Sequence, residues 1–185
     1  MANGDREIEV KYRLDDLPGL ERALTERRTM LSASIRQDDQ AFAPVGWEYG
    51  QSKIGVPFAR LRTSAGRHLF TVKRPLDNEM ACLEFETEVA DREQMRGAIE
   101  AMGFYPTVRI LKTRRTTRLA GVSLCVDQVD HAGLFLEAET IVGAGTSGEA
   151  AQRDLHALVS SLGVGLERVT DTYDSLVRAA TLARA

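Results

Sequence analysis

Residues 7–14 read Glu-Ile-Glu-Val-Lys-Tyr-Arg-Leu, in which charged and apolar side chains alternate without interruption. Because successive side chains of a β-strand point to opposite faces, this stretch predicts a strand with one charged face and one apolar face. The charged face carries Glu7, Glu9, Lys11 and Arg13, and the apolar face carries Ile8, Val10, Tyr12 and Leu14. How far this pattern recurs along the chain decides the fold class.

Further strands are predicted over residues 31–42, 58–63, 68–73, 82–89, 108–119, 122–127 and 133–142, and six of the strands place their charges in one phase. Helices are predicted over residues 17–28, 91–102 and 148–162, and a last helix begins at residue 170. Strands dominate the first three quarters of the chain and helices the last quarter. This distribution indicates an α+β fold.

The 185 residues are enough for one domain with a sizeable core, and no stretch has the composition of a linker. We therefore expect a single domain over residues 1–185. Its strands lie within residues 7–142, and its C-terminal helices lie within residues 147–182.

The composition also limits the partners of the chain. A net charge of −3 argues against a general nucleic-acid-binding protein. Cys82 and Cys125 lack CxxC spacing, so neither a zinc site nor a disulfide framework is indicated, and a reducing compartment is favoured. The N-terminus is polar, and no stretch reaches the roughly 18 apolar residues that a membrane helix needs. These features predict a soluble, cytoplasmic protein that binds neither nucleic acid nor membrane.

Two arrangements of the charged face are compatible with the alternation. In the first, the charges form the solvated outer face of an antiparallel sheet. In the second, the sheet curls around its charges and the helices cover its apolar face. The second is favoured because the helices need an apolar surface on which to bury their own apolar stripes, and because closure removes unpaired strand edges. Charges in such an interior must be hydrated, paired or held for a charged ligand.

The mixture of charges predicts the class of ligand. Six cationic side chains share the inward phase: Lys11, Arg60, Arg62, Lys73, Lys112 and Arg114. Guanidinium groups match phosphate oxygens bidentately, and six cations exceed what one carboxylate requires. Five acidic side chains accompany them: Glu7, Glu9, Glu86, Glu137 and Glu139. Because these carboxylates would repel a bare polyphosphate, and because oxygen-only ligation suits Mg²⁺ or Mn²⁺, we expect a metal-bound polyphosphate.

Short motifs follow one another between residues 7 and 139, namely Glu7-x-Glu9-x-Lys11, Arg60-x-Arg62, Thr71-x-Lys73-x-Pro75, Lys112-x-Arg114 and Glu137-x-Glu139. In this order the motifs resemble those of the CYTH superfamily, the triphosphate tunnel metalloenzymes. The resemblance implies a closed eight-stranded antiparallel β-barrel, the triphosphate tunnel, with flanking helices. It also allows a homodimer, because members of the family are often dimers.

The resemblance implies a phosphoryl-transfer metalloenzyme acting on a small-molecule triphosphate. The favoured function is that of a class IV adenylyl cyclase, which converts ATP to cyclic AMP and pyrophosphate. The alternatives are an inorganic tripolyphosphatase, a hydrolase of thiamine triphosphate or another organic triphosphate, and a non-catalytic phosphate-binding module. The six cations would bind phosphate, with Lys11, Lys73 and Arg114 acting in catalysis. The five glutamates would bind Mg²⁺ or Mn²⁺.

The resemblance leaves three points open. Glu84, Glu86 and Glu88 share one face, and Glu86 is favoured as the residue that acts in the site. Relatives often carry an aromatic hydroxyl near the position of Ala41, which this chain lacks. Tyr173 lies in a segment similar to a family motif whose tyrosine helps to close the tunnel, although it also suits an ordinary amphipathic helix. None of the three histidines, His68, His131 and His156, is expected to take part in the chemistry.

Overall fold

The computed structural model describes residues 6–143 and 145–183. The strands in these residues are β1 (Arg6–Leu14), β2 (Ile35–Pro44), β3 (Phe58–Ser64), β4 (Arg67–Pro75), β5 (Ala81–Val89), β6 (Phe104–Leu119), β7 (Val122–Val129), β8 (Gly133–Val142) and β9 (Leu166–Val169). The helices are α1 (Leu17–Glu26), α2 (Arg92–Ala101), α3 (Gly148–Ser160) and α4 (Tyr173–Leu182).

The strands form one antiparallel sheet in the order β5, β4, β3, β2, β6, β7, β8, β1 and β9. The sheet closes on itself because the start of β1 also pairs with β5, with Glu7 opposite Cys82. Farther along β1, residues 11–14 pair with β9. The prediction of a closed eight-stranded antiparallel barrel with flanking helices is confirmed. The short strand β9 is an addition that the sequence did not predict.

Helices cover the apolar outer face of the barrel. Ile8 and Val10 of β1 are fully buried in a core cluster that includes Leu20 of α1 and Leu155 of α3. A second cluster joins Ile99 of α2 to apolar residues of β2 and β3. Since the apolar phase faces the helices, the charged phase of each strand faces the interior of the barrel.

The two ends of the barrel differ. The hairpin turns between β3 and β4 and between β6 and β7 lie at one end, called here the upper end. At the opposite, lower end, Val177 of α4 is buried in a cluster with Ile110, Val129 and Phe135. These three residues share the inward phase of β6, β7 and β8, so α4 closes part of the lower end.

Local signals explain most element boundaries. Asp16, Asp91 and Ser147 each accept a hydrogen bond from a backbone N–H in the first turn of the helix that follows. The strand predicted over 31–42 is displaced to Ile35–Pro44, because its end continues to pair with the start of β6, where Pro44 lies opposite Phe104. No helix in the described part of the chain is long and apolar enough to cross a membrane.

Candidate active site

A cavity of about 310 Å³ lies inside the barrel. Every site residue that the sequence predicts lines this cavity: Glu7, Glu9, Lys11, Arg60, Arg62, Lys73, Glu86, Lys112, Arg114, Glu137 and Glu139. Strand alternation brings them together, because each strand directs every second side chain inward. Lys11 and Lys112 are only 1% and 2% exposed. Such deeply buried ammonium groups require anionic partners.

Three carboxylates from two neighbouring strands form a possible metal site. Single oxygens of Glu7, Glu9 and Glu139 all lie within 4.8 Å of one another. Glu7 and Glu9 share one face of β1, and Glu139 of β8 lies directly opposite Glu9 in the register. Oxygen-only donors at this spacing fit a hard divalent cation such as Mg²⁺ or Mn²⁺. Glu137 lies outside this group of three and instead pairs with Lys11 at 3.3 Å.

The first two carboxylates of this group differ in their electrostatic environment. Burial, followed by the charge of Glu137, raises the pKa of Glu9 to about 7. Burial also acts to raise the pKa of Glu7, but the charge of Lys73, hydrogen bonds with Glu84 and Lys73, and the charge of Arg60 together outweigh it and lower the pKa to about 2. Glu7 is therefore held ionised, whereas Glu9 lacks enough positive charge around it. A divalent cation at this position would supply that charge.

Lys73 joins the carboxylates of β1 and β5. Its Nζ lies 2.6 Å from Glu7 and 2.6 Å from Glu84. The Glu84 side chain is 7% exposed, and it also lies 3.7 Å from Arg60. Glu86 is 35% exposed at its side chain and accepts a hydrogen bond from Thr71 at 2.8 Å. Both glutamates line the cavity, but Glu84 lies deeper and is the one in contact with Lys73.

A second cluster is organised by Asp127 of β7. This fully buried carboxylate accepts hydrogen bonds from Lys112 Nζ at 2.9 Å and from Arg114 Nε at 2.7 Å. Arg114 also donates to Glu137 at 2.6 Å. Burial acts to raise the pKa of Asp127, but the charges of Lys112 and Arg114 outweigh it and lower the pKa. Burial, followed by the charge of Arg114, lowers the pKa of Lys112 to about 8.

Asp39 of β2 binds the guanidinium of Arg62, as Asp127 binds that of Arg114. Its two carboxylate oxygens accept hydrogen bonds from Nε and an Nη of Arg62, both at 2.7 Å. Asp39 is 3% exposed and Arg62 is 7% exposed. Sequence reasoning assigned no role to Asp39. Its place opposite Arg62 in the β2–β3 register was the signal that could have revealed it.

The first turn of α4 forms one wall of the cavity. Lys11 Nζ lies 4.2 Å and Lys112 Nζ 4.8 Å from the centre of the Tyr173 ring. The hydroxyl of Tyr173 is buried and makes no hydrogen bond with the described residues. Burial, followed by the negative charge of Glu137, raises its pKa. The tyrosine is therefore part of the closed end of the tunnel.

Lys53 holds this turn of α4 in place, a role that no motif or periodicity in the sequence predicts. Its Nζ donates to Thr172 Oγ1 at 2.7 Å and to Ser175 Oγ at 3.1 Å. It also pairs with Glu79 at 2.9 Å and with Asp174 at 3.3 Å. Lys53 lies in the irregular segment between β2 and β3. Because this segment has no regular alternation, the sequence does not indicate which of its side chains point toward the cavity.

Two of the histidines lie away from the cavity. His68 Nδ1 bonds with the hydroxyl of Thr63, and His156 Nδ1 bonds with the hydroxyl of Tyr12 on the outer face of β1. His131 lies in the turn between β7 and β8 and does not line the cavity. Ala41 does line it, so a side-chain hydroxyl is missing at that position.

The sequence pattern of the CYTH domain matches residues 5–173. "Putative adenylate cyclase MJ0240" of Methanocaldococcus jannaschii is 21% identical over 165 residues, which cover 88% of this chain and 93% of that protein. A solved Vibrio parahaemolyticus structure, described as a "putative adenylate cyclase", superposes with a TM-score of 0.78 at 19% identity and covers 95% of this chain and 99% of that one.

A structure from Hippeastrum, described as a "putative adenylyl cyclase" with "a dominant" triphosphatase activity, gives a TM-score of 0.61 at 18% identity, covering 94% of this chain and 95% of that one. At such identities the structural similarities establish the fold, while the match over residues 5–173 establishes the family. The chain belongs to the CYTH domain family of triphosphate-processing enzymes.

Proposed function

We propose that this protein is a metal-dependent enzyme that converts ATP to cyclic AMP and pyrophosphate. The observation that carries the proposal is the placement of three close carboxylates, Glu7, Glu9 and Glu139, in one cavity with six cationic side chains. Phosphoryl transfer depends mainly on positioning and on stabilisation of charge, and this cavity supplies both kinds of group.

The cations would exchange their present carboxylate partners for phosphate oxygens. Arg60, Arg62 and Arg114 present guanidinium groups that suit bidentate phosphate binding, and each is now held by a carboxylate. Lys11 and Lys73 lie on either side of the group of three carboxylates and would hold the reacting phosphate against it. Arg114 would stabilise charge on the leaving oxygen, because Asp127 and Glu137 fix its orientation.

Mg²⁺ or Mn²⁺ held by Glu7, Glu9 and Glu139 would neutralise phosphate charge and favour an in-line geometry. Glu137 would contribute from the adjacent position, where it now orients Lys11 and Arg114. Glu86 would act at the edge of the cavity through its contact with Arg60. The residues of the chain thus account for binding, charge neutralisation and orientation of the triphosphate.

Hydrolysis of a triphosphate is the alternative, because the same cations would serve a water nucleophile as well as a ribose hydroxyl. The triphosphatase activity described for the Hippeastrum protein favours this alternative. The adenylate cyclase names of the Methanocaldococcus jannaschii and Vibrio parahaemolyticus relatives favour cyclisation. A non-catalytic binding module is the third candidate, and the absence of a hydroxyl at Ala41 is the observation in its favour.

A product assay separates the three functions. The protein is incubated with ATP, tripolyphosphate or thiamine triphosphate in Mg²⁺ or Mn²⁺, and the products are resolved by chromatography. Cyclic AMP from ATP is the expected product, whereas phosphate release without cyclic AMP would establish a hydrolase. Glu9→Gln should abolish turnover, and Glu100→Gln on the outer face of α2 should leave it unchanged. Tight metal-dependent binding without any turnover would overturn the enzymatic proposal.

A further inference from the structure

Tyr173 carries a buried hydroxyl that makes no hydrogen bond with any described residue. A buried hydroxyl without a partner lowers stability, and a phenylalanine at this position would keep the ring without that cost. The ring packs edge to face against Phe135, with centroids 5.4 Å apart and planes at 67°. Packing therefore explains the ring but not the hydroxyl, and a buried polar group of this kind is a candidate for a role in function.

The carboxylate of Asp127 is the acceptor to which this hydroxyl is best placed to donate. Burial raises the pKa of Tyr173 most, and the charges of Glu137 and Asp127 raise it further. Asp127 also contributes as a hydrogen-bond acceptor, although the two groups do not meet the geometry of a hydrogen bond. With its pKa well above the ordinary value, the hydroxyl stays protonated. It is therefore a donor that lies near a carboxylate but does not bind it.

Other donors occupy Asp127. Lys112 Nζ donates to its Oδ2 at 2.9 Å, and Arg114 donates to both of its oxygens. Lys112, Arg114 and Tyr173 line the cavity, whereas Asp127 does not. A phosphate group in the cavity can therefore replace Asp127 as the partner of Lys112, but it has no proton donor to offer the carboxylate behind it.

Lys112 is the donor that a phosphate group would draw away from Asp127. Burial and the charge of Arg114 lower the pKa of Lys112 to about 8, so Asp127 compensates its charge only in part. A phosphate group carries more negative charge and binds the ammonium group strongly. Arg114 is held more firmly, because it binds both oxygens of Asp127 and also donates to Glu137. When Lys112 turns to a phosphate, the fully buried carboxylate loses one donor and keeps the other.

We propose that the Tyr173 hydroxyl takes the place of Lys112 on Asp127 when Lys112 binds a phosphate group of the ligand. Lys112 Nζ lies 4.8 Å from the centre of the Tyr173 ring, so its departure frees a carboxylate oxygen beside the hydroxyl. Only hydrogen bonds are exchanged, and the hydroxyl keeps its proton. Tyr173 is thus a positioning residue that acts through Asp127, because a satisfied Asp127 keeps Arg114 oriented toward the cavity.

This inference rests on the part of the proposed function in which Lys112 binds phosphate. It applies equally to cyclisation and to hydrolysis, because both begin with a triphosphate held by the same cations. It also explains why the hydroxyl lacks a partner while Lys112 occupies Asp127.

Calorimetric titration with inorganic tripolyphosphate and Mg²⁺ measures the contribution of the hydroxyl. Tyr173→Phe should weaken binding roughly tenfold or more, the effect of losing one hydrogen bond to a charged group. Its thermal unfolding without tripolyphosphate should stay close to that of the wild type. The matched control is Tyr12→Phe, which removes a hydroxyl bonded to His156 on the outer face of the barrel and should leave the affinity unchanged. Equal affinities of Tyr173→Phe and the wild type, or no binding by the wild type, would overturn the inference.

A double-mutant cycle shows whether the hydroxyl acts through Asp127. Asp127→Asn removes the charge that the hydroxyl is proposed to compensate. In that background, Tyr173→Phe should weaken the binding of tripolyphosphate less than about twofold, because the two side chains belong to one network. If the full tenfold loss persisted there, the hydroxyl would contact the ligand itself, and the assignment to Asp127 would be wrong.

Ultraviolet difference spectroscopy tests the same step without altering Asp127. A tyrosine hydroxyl that begins to donate to a carboxylate shifts the absorption of its ring to longer wavelength. Tripolyphosphate with Mg²⁺ should produce this shift in the wild type, and Tyr173→Phe should lack it. Identical difference spectra of the two proteins would contradict the exchange of partners.

The inference and the proposed function fail in different ways. If Tyr173→Phe weakens the binding of tripolyphosphate but the wild type converts no triphosphate, the enzymatic function is refuted and the inference stands. If the wild type makes cyclic AMP and Tyr173→Phe does so with the same kcat and KM, the enzymatic function stands and the inference is refuted.

Discussion

Lys11 at the start of the chain lies with its ammonium group 4.2 Å from the centre of the Tyr173 ring, near the end of the chain. This cation–π contact joins the first strand of the barrel to the helix that closes its lower end. The charged interior of the barrel and the closing helix are therefore in direct contact, and Lys112 makes a second contact of the same kind with Tyr173.

The contributions of the Tyr173 ring and of its hydroxyl to the free energy of unfolding should be separable by substitution. Tyr173→Phe keeps the ring and removes a hydroxyl that has no hydrogen-bond partner in the described residues, so the free energy of unfolding should change by less than about 1 kcal/mol. Tyr173→Ala should cost about 3 kcal/mol, because it also removes the packing against Phe135. Urea denaturation measures both values, and equal losses would show that the ring contributes little.

The contacts of Lys53 predict a local effect on α4. Lys53→Met leaves Asp174 and Glu79 without their cation and should lower the free energy of unfolding by about 2 kcal/mol. Hydrogen exchange should accelerate most at the amides of α4. Arg67→Met removes an ion pair whose two side chains are 67% and 57% exposed, so it should change stability by less than about 0.5 kcal/mol. If Lys53→Met accelerated hydrogen exchange evenly over the barrel, Lys53 would not have the local role assigned to it.

Glu84 and Glu86 should differ in their contribution to turnover. Glu84→Gln weakens the buried contact with Lys73 and should lower kcat/KM by roughly a hundredfold, the scale on which loss of one stabilising group of an active site acts. Glu86→Gln acts at a side chain that is 35% exposed and should lower it by roughly threefold. Steady-state kinetics on both variants checks the order, and a larger loss for Glu86→Gln would assign the site role to Glu86.

Acid should weaken the fold through Asp39. Burial acts to raise its pKa, but the hydrogen bonds from Arg62 and the charges of Arg62, Arg60 and Lys112 together lower it from 3.8 to about 2. A depressed pKa stabilises the folded state above the unfolded value of 3.8, and this stabilisation, about 2 kcal/mol, is lost as the pH falls toward 2. Asp39→Asn should therefore differ most from wild type near pH 6 and progressively less below pH 4. A stability difference that does not vary with pH would contradict this coupling.

Alternation along the strands predicted the barrel well, because a period of two reports directly which side chains share a face. Glu7, Glu9 and Lys11 illustrate this, since all three line the cavity as their phase indicates. The same period carries no information on depth along the tunnel. Glu84 and Glu86 are indistinguishable by phase, and only the pairing of β4 with β5 places Glu84 beside Lys73.

Features that depend on tertiary contacts were beyond the reach of the sequence. Strand β9 has only four residues between glycine-rich and polar segments, and it exists because residues 11–14 of β1 offer it an edge. Lys53 lies in an irregular segment whose conformation is set by the packing of Trp47 and by the partners of Lys53 on α4. Neither feature leaves a periodic signal in the chain.

Strand β1 pairs with β8 along one edge and with β5 and β9 along the other, and this affects how the chain folds during synthesis. Strand β1 emerges first, yet its long-range partners β5, β8 and β9 emerge much later, so we expect barrel closure to be a late and slow step. Until then β1 presents open edges on which other chains could add. The charged side chains of Glu7, Glu9 and Lys11 disfavour such aggregation. The residues that later line the cavity of the barrel thus protect the nascent chain until the partner strands of β1 have been synthesised.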